Sequence, residues 1–171
     1  MKLKLITLLF LASIFTIQTK AQENANSILE KAYKKAKTEN KSVFVKYSAS
    51  WCGWCKKMDK QMKDENCKTF FDDNYVTVNL VVQESDKNKH LETPGAMEVL
   101  TKHKGEKSGL PFWAILDSSG KLIEDSFDSK GQNLGCPATE EEVSEFIKIL
   151  KSTSRISDKN LNTIYEIFLA K

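Results

Sequence analysis

The residues of this chain best suited to chemistry are two cysteines, Cys52 and Cys55, which are separated by two residues. A β-like run at Val43–Tyr47 precedes them, and a helical run begins near Gly53. Unpaired backbone N–H groups and the helix dipole stabilise an anion at the first turn of a helix, so a thiolate at Cys52 is favoured there. Cys55 is expected one turn away on the same face. The spacing therefore predicts a pair that opens and closes a short disulfide, with Cys52 as the nucleophile.

The segments around this pair resemble those of a known family. Residues 48–58, Ser-Ala-Ser-Trp-Cys-Gly-Trp-Cys-Lys-Lys-Met, are similar to the active-site segment of thioredoxin-like proteins. Residues 109–121, with Leu-Pro before a second strand, resemble the cis-proline strand and hairpin of that fold. Zinc sites also use Cys-x-x-Cys, but the two flanking features make this resemblance specific. It covers about residues 27–150 and implies an α/β thioredoxin fold, a central mixed β-sheet flanked by helices, here with an extra C-terminal helix.

The resemblance also implies roles for individual residues. Cys52 attacks a substrate disulfide and Cys55 resolves the mixed disulfide, so both are catalytic and together form the redox-active disulfide. The exchange needs no cofactor and no metal. The Pro111 bond is expected to be cis and to lie against the cysteines, with the Leu110 backbone pairing with the substrate chain. The residues expected to bind substrate are Trp51, Trp54, Leu110 and Pro111. Packing within the fold is the simpler explanation for the tryptophans, above all for Trp51.

One position departs from the family pattern. Thioredoxins usually carry a buried aspartate six residues before the first active cysteine, where it accepts a proton from the resolving thiol. Here that residue is Lys46. A nearby cation stabilises thiolates and therefore the reduced form, which makes the disulfide more oxidising. Alternatively, the amine reaches solvent and acts weakly. Lys46 is thus a candidate for tuning the pKa of the cysteines.

The other two cysteines are Cys67 and Cys136. In an exported protein they could form a structural disulfide, but the sequence does not determine the distance between their Cα atoms. A free, buried thiol is the plainer interpretation of Cys67. Cys136 directly precedes a predicted helix cap and is expected to be more exposed. We therefore favour two free thiols over a second disulfide.

The chain begins with features of an export signal. Lys2 and Lys4 precede the apolar run Leu5–Ile17, which a small residue follows at the predicted cleavage site. The run is shorter than the roughly 20 residues of a spanning helix, and no nearby cysteine offers a site for a lipid anchor. We expect a signal peptide at 1–21, a single thioredoxin-like domain at 22–171, and a periplasmic or secreted location.

The charge balance restricts the expected partners. The chain has 26 lysines and arginines against 23 acidic residues. Removing the three lysines of residues 1–21, which hold no acidic residue, leaves 23 basic and 23 acidic residues. A net charge near zero gives no general attraction to nucleic acid or anionic lipid. We expect protein disulfide or thiol substrates and an unidentified redox partner, with no nucleic acid and no stable membrane anchor after signal cleavage.

Periodicity and capping residues predict the remaining elements. The predicted strands are Val43–Tyr47, Tyr75–Val82 as a buried central strand, and a hairpin of Phe112–Asp117 with Lys121–Phe127. The predicted helices run from Ser27 to Glu39, from Gly53 through Phe71 with a break near residues 64–66, from Thr93–Pro94, from Thr139 with a capping box to Ser152, and from Ser157 onward. The apolar stripe of the last helix (157–171) predicts packing on the domain, or otherwise a docking or dimer surface. The polar loop Gln83–Glu92 has no predicted role.

Three functions are compatible with these residues. The leading one is an exported thiol–disulfide oxidoreductase, a disulfide reductase of a bacterial periplasm. The second is a copper-delivery module, since the thiolates of Cys52 and Cys55 suit Cu(I), whereas His90 and His103 lack the spacing of a zinc motif. The third is a binding module that uses the fold only as a scaffold, against which the intact cysteine pair argues.

Overall fold

A mixed β-sheet forms the centre of the structure, a computed structural model that describes residues 22–155 and 157–169. In these ranges the sheet has four strands in the order β2-β1-β3-β4. The strands are β1 (Ser42–Ser48), β2 (Tyr75–Val81), β3 (Phe112–Leu116) and β4 (Leu122–Asp125). β1 is parallel to β2 and antiparallel to β3, which forms the predicted hairpin with β4. The predicted fold is therefore confirmed, while the predicted signal peptide lies outside the described residues.

The two central strands are β1 and β3. β3 is buried along its whole length, as is β1 from Val43 onward. The prediction that Tyr75–Val82 forms a central strand is wrong, because β2 lies at the edge of the sheet. Its burial alternates, with the side chains of Val78 and Leu80 inside and Asn79 exposed. An apolar run signals burial, but it does not reveal whether a strand has one neighbour or two.

Six α-helices flank the sheet within the described ranges. They are α1 (Ala25–Glu39), α2 (Gly53–Met62), α3 (Glu65–Asn74), α4 (Ala96–Lys102), α5 (Glu140–Thr153) and α6 (Asp158–Leu169). A 3₁₀ helix at Asp86–Leu91 lies within the polar loop. The break between α2 and α3 is confirmed, and Asp64 caps α3 by accepting from the Asn66 N–H. The predicted capping box of α5 is present between Thr139 and Glu142.

Two helices begin elsewhere than predicted. α1 starts before Ser27, because Asn24 is its cap and accepts from the Ser27 N–H at 2.9 Å. α4 starts after Gly95, which has a φ of 78°, and not at Thr93–Pro94. Thr93 is held by β2 instead: its N–H donates to the Val81 carbonyl at 2.9 Å, and its hydroxyl accepts from the Val81 N–H at 3.1 Å. A threonine already bonded to a strand is not free to cap a helix.

Successive side chains of β1 point to opposite faces of the sheet and enter two apolar cores. Val45 and Tyr47 belong to the core that contains α1 and α4 residues. Phe44 belongs to the core that α2, α3, α5 and α6 cover. The fully buried Trp113 of β3 lies in this second core, where its ring stacks on Phe44 at 5.4 Å between centroids. Lys46, on the same face as Phe44, therefore points toward the helix that carries the cysteines.

The C-terminal helix α6 packs on the domain, as the stripe predicts. Leu161, Ile164 and Phe168 are buried, and the rings of Phe168 and Phe146 lie 5.0 Å apart. Gln61 of α2 donates to the Ile167 and Phe168 carbonyls at 3.0 and 3.2 Å, so α6 is bonded to the helix that follows the cysteines. Among the described residues, no helix has the length and apolar character needed to cross a membrane.

Candidate functional site

The two cysteines of the Cys-x-x-Cys segment form a disulfide at the start of α2. β1 ends at Ser48, and the turn that follows delivers Cys52 to the cap position of the helix. Cys52 and Cys55 are disulfide-bonded, with their Cα atoms 5.3 Å apart. The Cys55 N–H donates to the Cys52 sulfur at 3.0 Å. A hydrogen bond from the first turn of the helix thus reaches the sulfur predicted to be the nucleophile, and it would favour a thiolate there.

Both cysteines are buried in this disulfide form. The exposed fraction is 3 % for Cys52 and 2 % for Cys55. Cys52, the predicted nucleophile, is therefore covered in the oxidised state. The two residues form a small apolar cluster with Ala49, and Leu110 packs against it. The Leu110 contact brings the loop before β3 to the cysteine pair.

The loop before β3 carries the Leu110–Pro111 pair predicted to bind substrate. The peptide bond between these residues is cis, and Pro111 is buried while Leu110 is partly buried. Asn133 fixes the loop, since its side-chain amide donates to the Ser108 carbonyl at 3.0 Å and to the Pro111 carbonyl at 3.1 Å. Asn133 is not predicted from the sequence, because nothing in the local pattern distinguishes it from other polar loop residues.

Both tryptophans of the segment are exposed. The exposed fraction is 58 % for Trp51 and 54 % for Trp54, so packing within the fold does not explain them. The Trp51 indole N–H donates to the Gln83 carbonyl at 2.9 Å, and the Lys57 ammonium lies 5.3 Å from the centroid of the Trp54 ring. Two large apolar side chains therefore remain accessible beside the disulfide.

Lys46 is buried beneath the site, with 1 % of its side chain exposed. Its ammonium pairs with Asp59 and lies 3.5 Å from the Cys55 carbonyl oxygen. The alternative that the amine reaches solvent is therefore wrong. Burial lowers the pKa of Lys46, and the hydrogen bond and charge of Asp59 oppose this shift. Asp59 is not among the residues predicted from the sequence, although its position one helical turn after Cys55 places it on the same face of α2.

The remaining cysteines are both buried and free. This agrees with the preference for free thiols, but the expected exposure of Cys136 is wrong. Its thiol donates to the Gln61 side-chain oxygen at 3.3 Å, and a neighbouring loop residue, Leu134, is also buried. Burial raises the pKa of Cys67 to about 12 and that of Cys136 to about 11.

These shifted thiols predict a loss of stability at alkaline pH. In the unfolded chain both thiols ionise above pH 9.0, whereas the native state keeps them protonated. The unfolded state then binds fewer protons, so stability falls as pH rises above 9, by about 1 kcal/mol for each thiol at pH 10. Urea unfolding of the native protein and of Cys67→Ala at pH 7.5 and 10 would measure this. The variant should lose less free energy over this interval, and an equal loss would contradict the prediction.

Comparison with known proteins identifies a matching family model and solved structures that are similar to this chain. A family model described as thioredoxin-like matches residues 24–118, more than half of the chain. A disulphide isomerase from Xylella fastidiosa Temecula1 has a TM-score of 0.53 at 17 % identity, over 90 % of this chain and 95 % of that chain. A thioredoxin from Thermus thermophilus has a TM-score of 0.48 at 16 % identity, over 76 % and 83 % of the two chains. No curated protein matches.

The likeness to these solved structures concerns the fold alone, because the identities are low. The match to the family model is stronger, since it includes β1, the cysteine pair, α2 and β3. The disulfide at the head of α2 occupies the position that the family resemblance predicts. The chain belongs to the thioredoxin-like family.

Proposed function

We propose that this protein is exported and reduces disulfide bonds in other proteins through Cys52 and Cys55. The observation that carries the proposal is the hydrogen bond from the Cys55 N–H to the Cys52 sulfur, in a disulfide at the start of a helix. This geometry supports a reactive thiolate at Cys52 once the disulfide is reduced. The direction of electron flow is carried over from thioredoxins, which reduce disulfides.

The proposed reaction transfers two electrons from the dithiol to a substrate disulfide. The Cys52 thiolate attacks one substrate sulfur, which forms a mixed disulfide and releases the other substrate sulfur as a thiolate. Cys55 then loses its proton and attacks the Cys52 sulfur. The Cys52–Cys55 disulfide forms, and the second substrate sulfur leaves as a thiolate. A redox partner of the dithiol class must afterwards reduce the protein again.

Substrate binding is assigned to the surface around the disulfide. Leu110 packs against the cysteines, and its backbone precedes the buried Pro111, which supports pairing of Leu110 with an extended substrate chain. The exposed rings of Trp51 and Trp54, which flank Cys52 and Cys55 in the sequence, offer further apolar contact. The substrate is therefore expected to be a flexible protein segment in which apolar residues flank the disulfide.

Lys46 is assigned the tuning of the thiol pKa, together with Asp59. The Lys46 ammonium lies near the Cys55 backbone and keeps a carboxylate partner, so its effect on thiolates is smaller than that of a lone cation. The half-exposed Asp59 connects this buried pair to solvent. Asp59 thus supplies a carboxylate beneath the cysteines, where the family's strand aspartate is replaced by Lys46.

Export is supported by the first residues of the chain. Lys2, Lys4 and the apolar run Leu5–Ile17 have the charge and length of a signal peptide. Expression in a bacterium of the full chain fused to a reporter that is active only in the periplasm would test export directly. The cleaved product should begin after residue 21.

Replacing Cys55 with Ser tests the proposed reaction. Without the resolving thiol, Cys52 should remain linked to its substrates, because the second attack cannot occur. The variant is expected to accumulate mixed disulfides with exported proteins, visible as higher bands on non-reducing gels that disappear with a reductant. Cys52→Ser/Cys55→Ser is the matched control and should trap nothing.

If Cys55→Ser traps nothing while Cys52 still reacts with an alkylating agent, the oxidoreductase function is wrong. The alternative of copper delivery by the same two sulfurs would then be tested by titrating the reduced protein with Cu(I). Stoichiometric, tight binding that both cysteine replacements abolish would support that alternative.

A further inference from the structure

The segment Gln83–Glu92, to which the sequence assigns no role, is bonded to the turn that carries Cys52. Glu84 is buried, with 6 % of its surface exposed. Its carboxylate accepts from the backbone N–H of Ser50 and, at 2.7 Å, from the Ser50 hydroxyl. The preceding residue, Gln83, accepts the indole N–H of Trp51 at 2.9 Å. Two consecutive residues thus bind the two residues immediately before Cys52.

These two residues, which we call the 83–84 clamp, are themselves held in place. Gln83 has a φ of 53°, a conformation uncommon for a residue with a side chain, and it persists only where the surroundings fix it. Its side-chain amide donates to the Glu106 carbonyl at 3.0 Å. The Glu84 N–H donates to the Glu92 carboxylate at 2.8 Å, which also pairs with Lys89. The clamp therefore rests on the whole loop and on the segment before β3.

Hydrogen bonds, and not an ion pair, connect Glu84 to the turn. Both carboxylate oxygens are bound by Ser50, and within residues 22–155 and 157–169 no lysine or arginine forms an ion pair with Glu84. Asn88, in the 3₁₀ helix of the same loop, donates to the Ser50 hydroxyl at 3.3 Å. Burying a carboxylate is costly unless hydrogen bonds satisfy its oxygens. Here one bond holds the Ser50 backbone N–H, two residues before the nucleophile, and the other holds the hydroxyl of the same residue.

We propose that Glu84 is a positioning residue that holds the Ser50–Trp51 turn so that Cys52 stays at the cap of α2. This inference rests on the proposed thiol chemistry of Cys52. The N–H of Cys55 reaches the Cys52 sulfur only while Cys52 keeps its cap position. The clamp also fixes the exposed Trp51 ring relative to the disulfide, because the indole is tied to the Gln83 carbonyl. The long loop is therefore a part of the active site.

The pH dependence of Cys52 alkylation in the reduced protein tests the clamp. Glu84→Ala removes both bonds to Ser50, so the turn loosens and the thiolate loses part of its hydrogen bond. The midpoint of alkylation should move to higher pH, and the rate at pH 6 should fall about fivefold, which is the effect of losing about one net hydrogen bond. Glu84→Gln keeps an acceptor for the Ser50 N–H and a donor for its hydroxyl, so it should recover most of this rate.

A purely electrostatic role predicts the opposite sign. Loss of a nearby negative charge would favour the thiolate, so Glu84→Ala and Glu84→Gln would both move the midpoint to lower pH. That result, or an unchanged midpoint in Glu84→Ala, would overturn the proposal. Glu98→Ala, an exposed position on α4, is the matched control and should behave as the native protein does.

Ser50→Ala gives a second, independent measurement. Its side chain is exposed, so the variant should fold even if Glu84→Ala does not, and it loses the hydroxyl bonds to Glu84 and Asn88. It should slow alkylation at pH 6 about threefold, and in combination with Glu84→Ala it should add little, because both changes remove the same contact. A native rate in Ser50→Ala, or full additivity, would contradict the clamp.

Reduction of a protein disulfide by the native protein, measured alongside, separates the two proposals. If the native protein reduces no disulfide, the proposed function is wrong. The order of the alkylation rates still decides the role of Glu84.

Discussion

Asp59→Asn is expected to destabilise the protein by about 2 kcal/mol at pH 7. Lys46 is buried, and the change leaves its ammonium without a counter-charge, although Asn keeps an oxygen that accepts its hydrogen bond. Breaking a fully buried ion pair costs about 3–5 kcal/mol, and this pair is expected to cost less because 45 % of the Asp59 side chain is already in solvent. Urea unfolding at pH 7 measures the difference.

Lys46→Met is the matched control for this pair. Met has a similar length and suits a site that faces the apolar core of α2, α3 and α5, so the loss of stability should be under about 1 kcal/mol. Asp59 is then left half exposed and can be hydrated. If Lys46→Met proves more harmful than Asp59→Asn, the bond of the ammonium to the Cys55 carbonyl, and not its charge, is the important contact.

The pH dependence of the Asp59→Asn effect follows from the same pair. Burial lowers the folded-state pKa of Lys46 below the unfolded-state value of 10.5. At a pH between these two pKa values the unfolded chain binds more protons than the folded chain, so stability rises with pH. Asp59 opposes this lowering, so Asp59→Asn lowers the folded-state pKa of Lys46 further and widens the pH interval over which stability rises. The stability difference between Asp59→Asn and the native protein should therefore shrink as pH rises toward 10. A difference that does not change with pH would mean that the buried charge is not its cause.

The two variants should also shift the reduction potential of the Cys52–Cys55 pair in opposite directions. Lys46→Met removes a cation that favours thiolates, so the disulfide becomes harder to reduce and the potential more negative. Asp59→Asn removes the anion that offsets this cation, so the potential becomes more positive. A shift of 30 mV corresponds to about 1.4 kcal/mol, and equilibration with glutathione resolves it. Shifts of the same sign would exclude electrostatic tuning by this pair.

Phe168→Ala is expected to destabilise the protein by about 3–5 kcal/mol. The Phe168 side chain is fully buried and its ring contacts Phe146, so truncation leaves a cavity between α6 and α5. Guanidinium unfolding followed by circular dichroism would show a lower midpoint. Glu166→Ala, an exposed change on the same helix, should have little effect. Equal stability of the two variants would mean that α6 does not pack on the domain in solution, and a docking or dimer surface would be the better account of its apolar stripe.

Local patterns were sufficient to identify most elements of the fold. The strand before Cys52, the helix at Gly53 and the capping box at Thr139 are local features, since each depends on residues within a few positions of one another. The disulfide belongs to the same class, because two cysteines three residues apart at a helix start are close whatever surrounds them. The apolar stripe along α6 likewise predicted that this face of the helix is buried against the domain.

Strand order and helix starts depended on distant partners. β2 has the apolar run of an interior strand, yet β1 pairs with β3 on its other side and leaves β2 at the edge. Thr93 has the sequence of a helix cap, but its bonds with Val81 commit it to the strand. The local sequence does not determine which of two possible hydrogen-bond partners a backbone N–H or carbonyl group meets in the folded chain.

What the sequence by itself determined about this protein is the cysteine pair: its spacing, its place at a helix start and the family to which the chain belongs. Only the tertiary structure decided the surroundings of that pair. Lys46 and Asp59 are 13 residues apart, and Ser50 and Glu84 are 34 apart. Whether a buried lysine meets a carboxylate, and whether a polar loop bonds to the active-site turn, depends on how β1, α2 and the end of β2 pack together. Charges and hydrogen bonds act through space, so the tuning and positioning proposed for Cys52 and Cys55 depend on contacts between side chains that are distant in sequence.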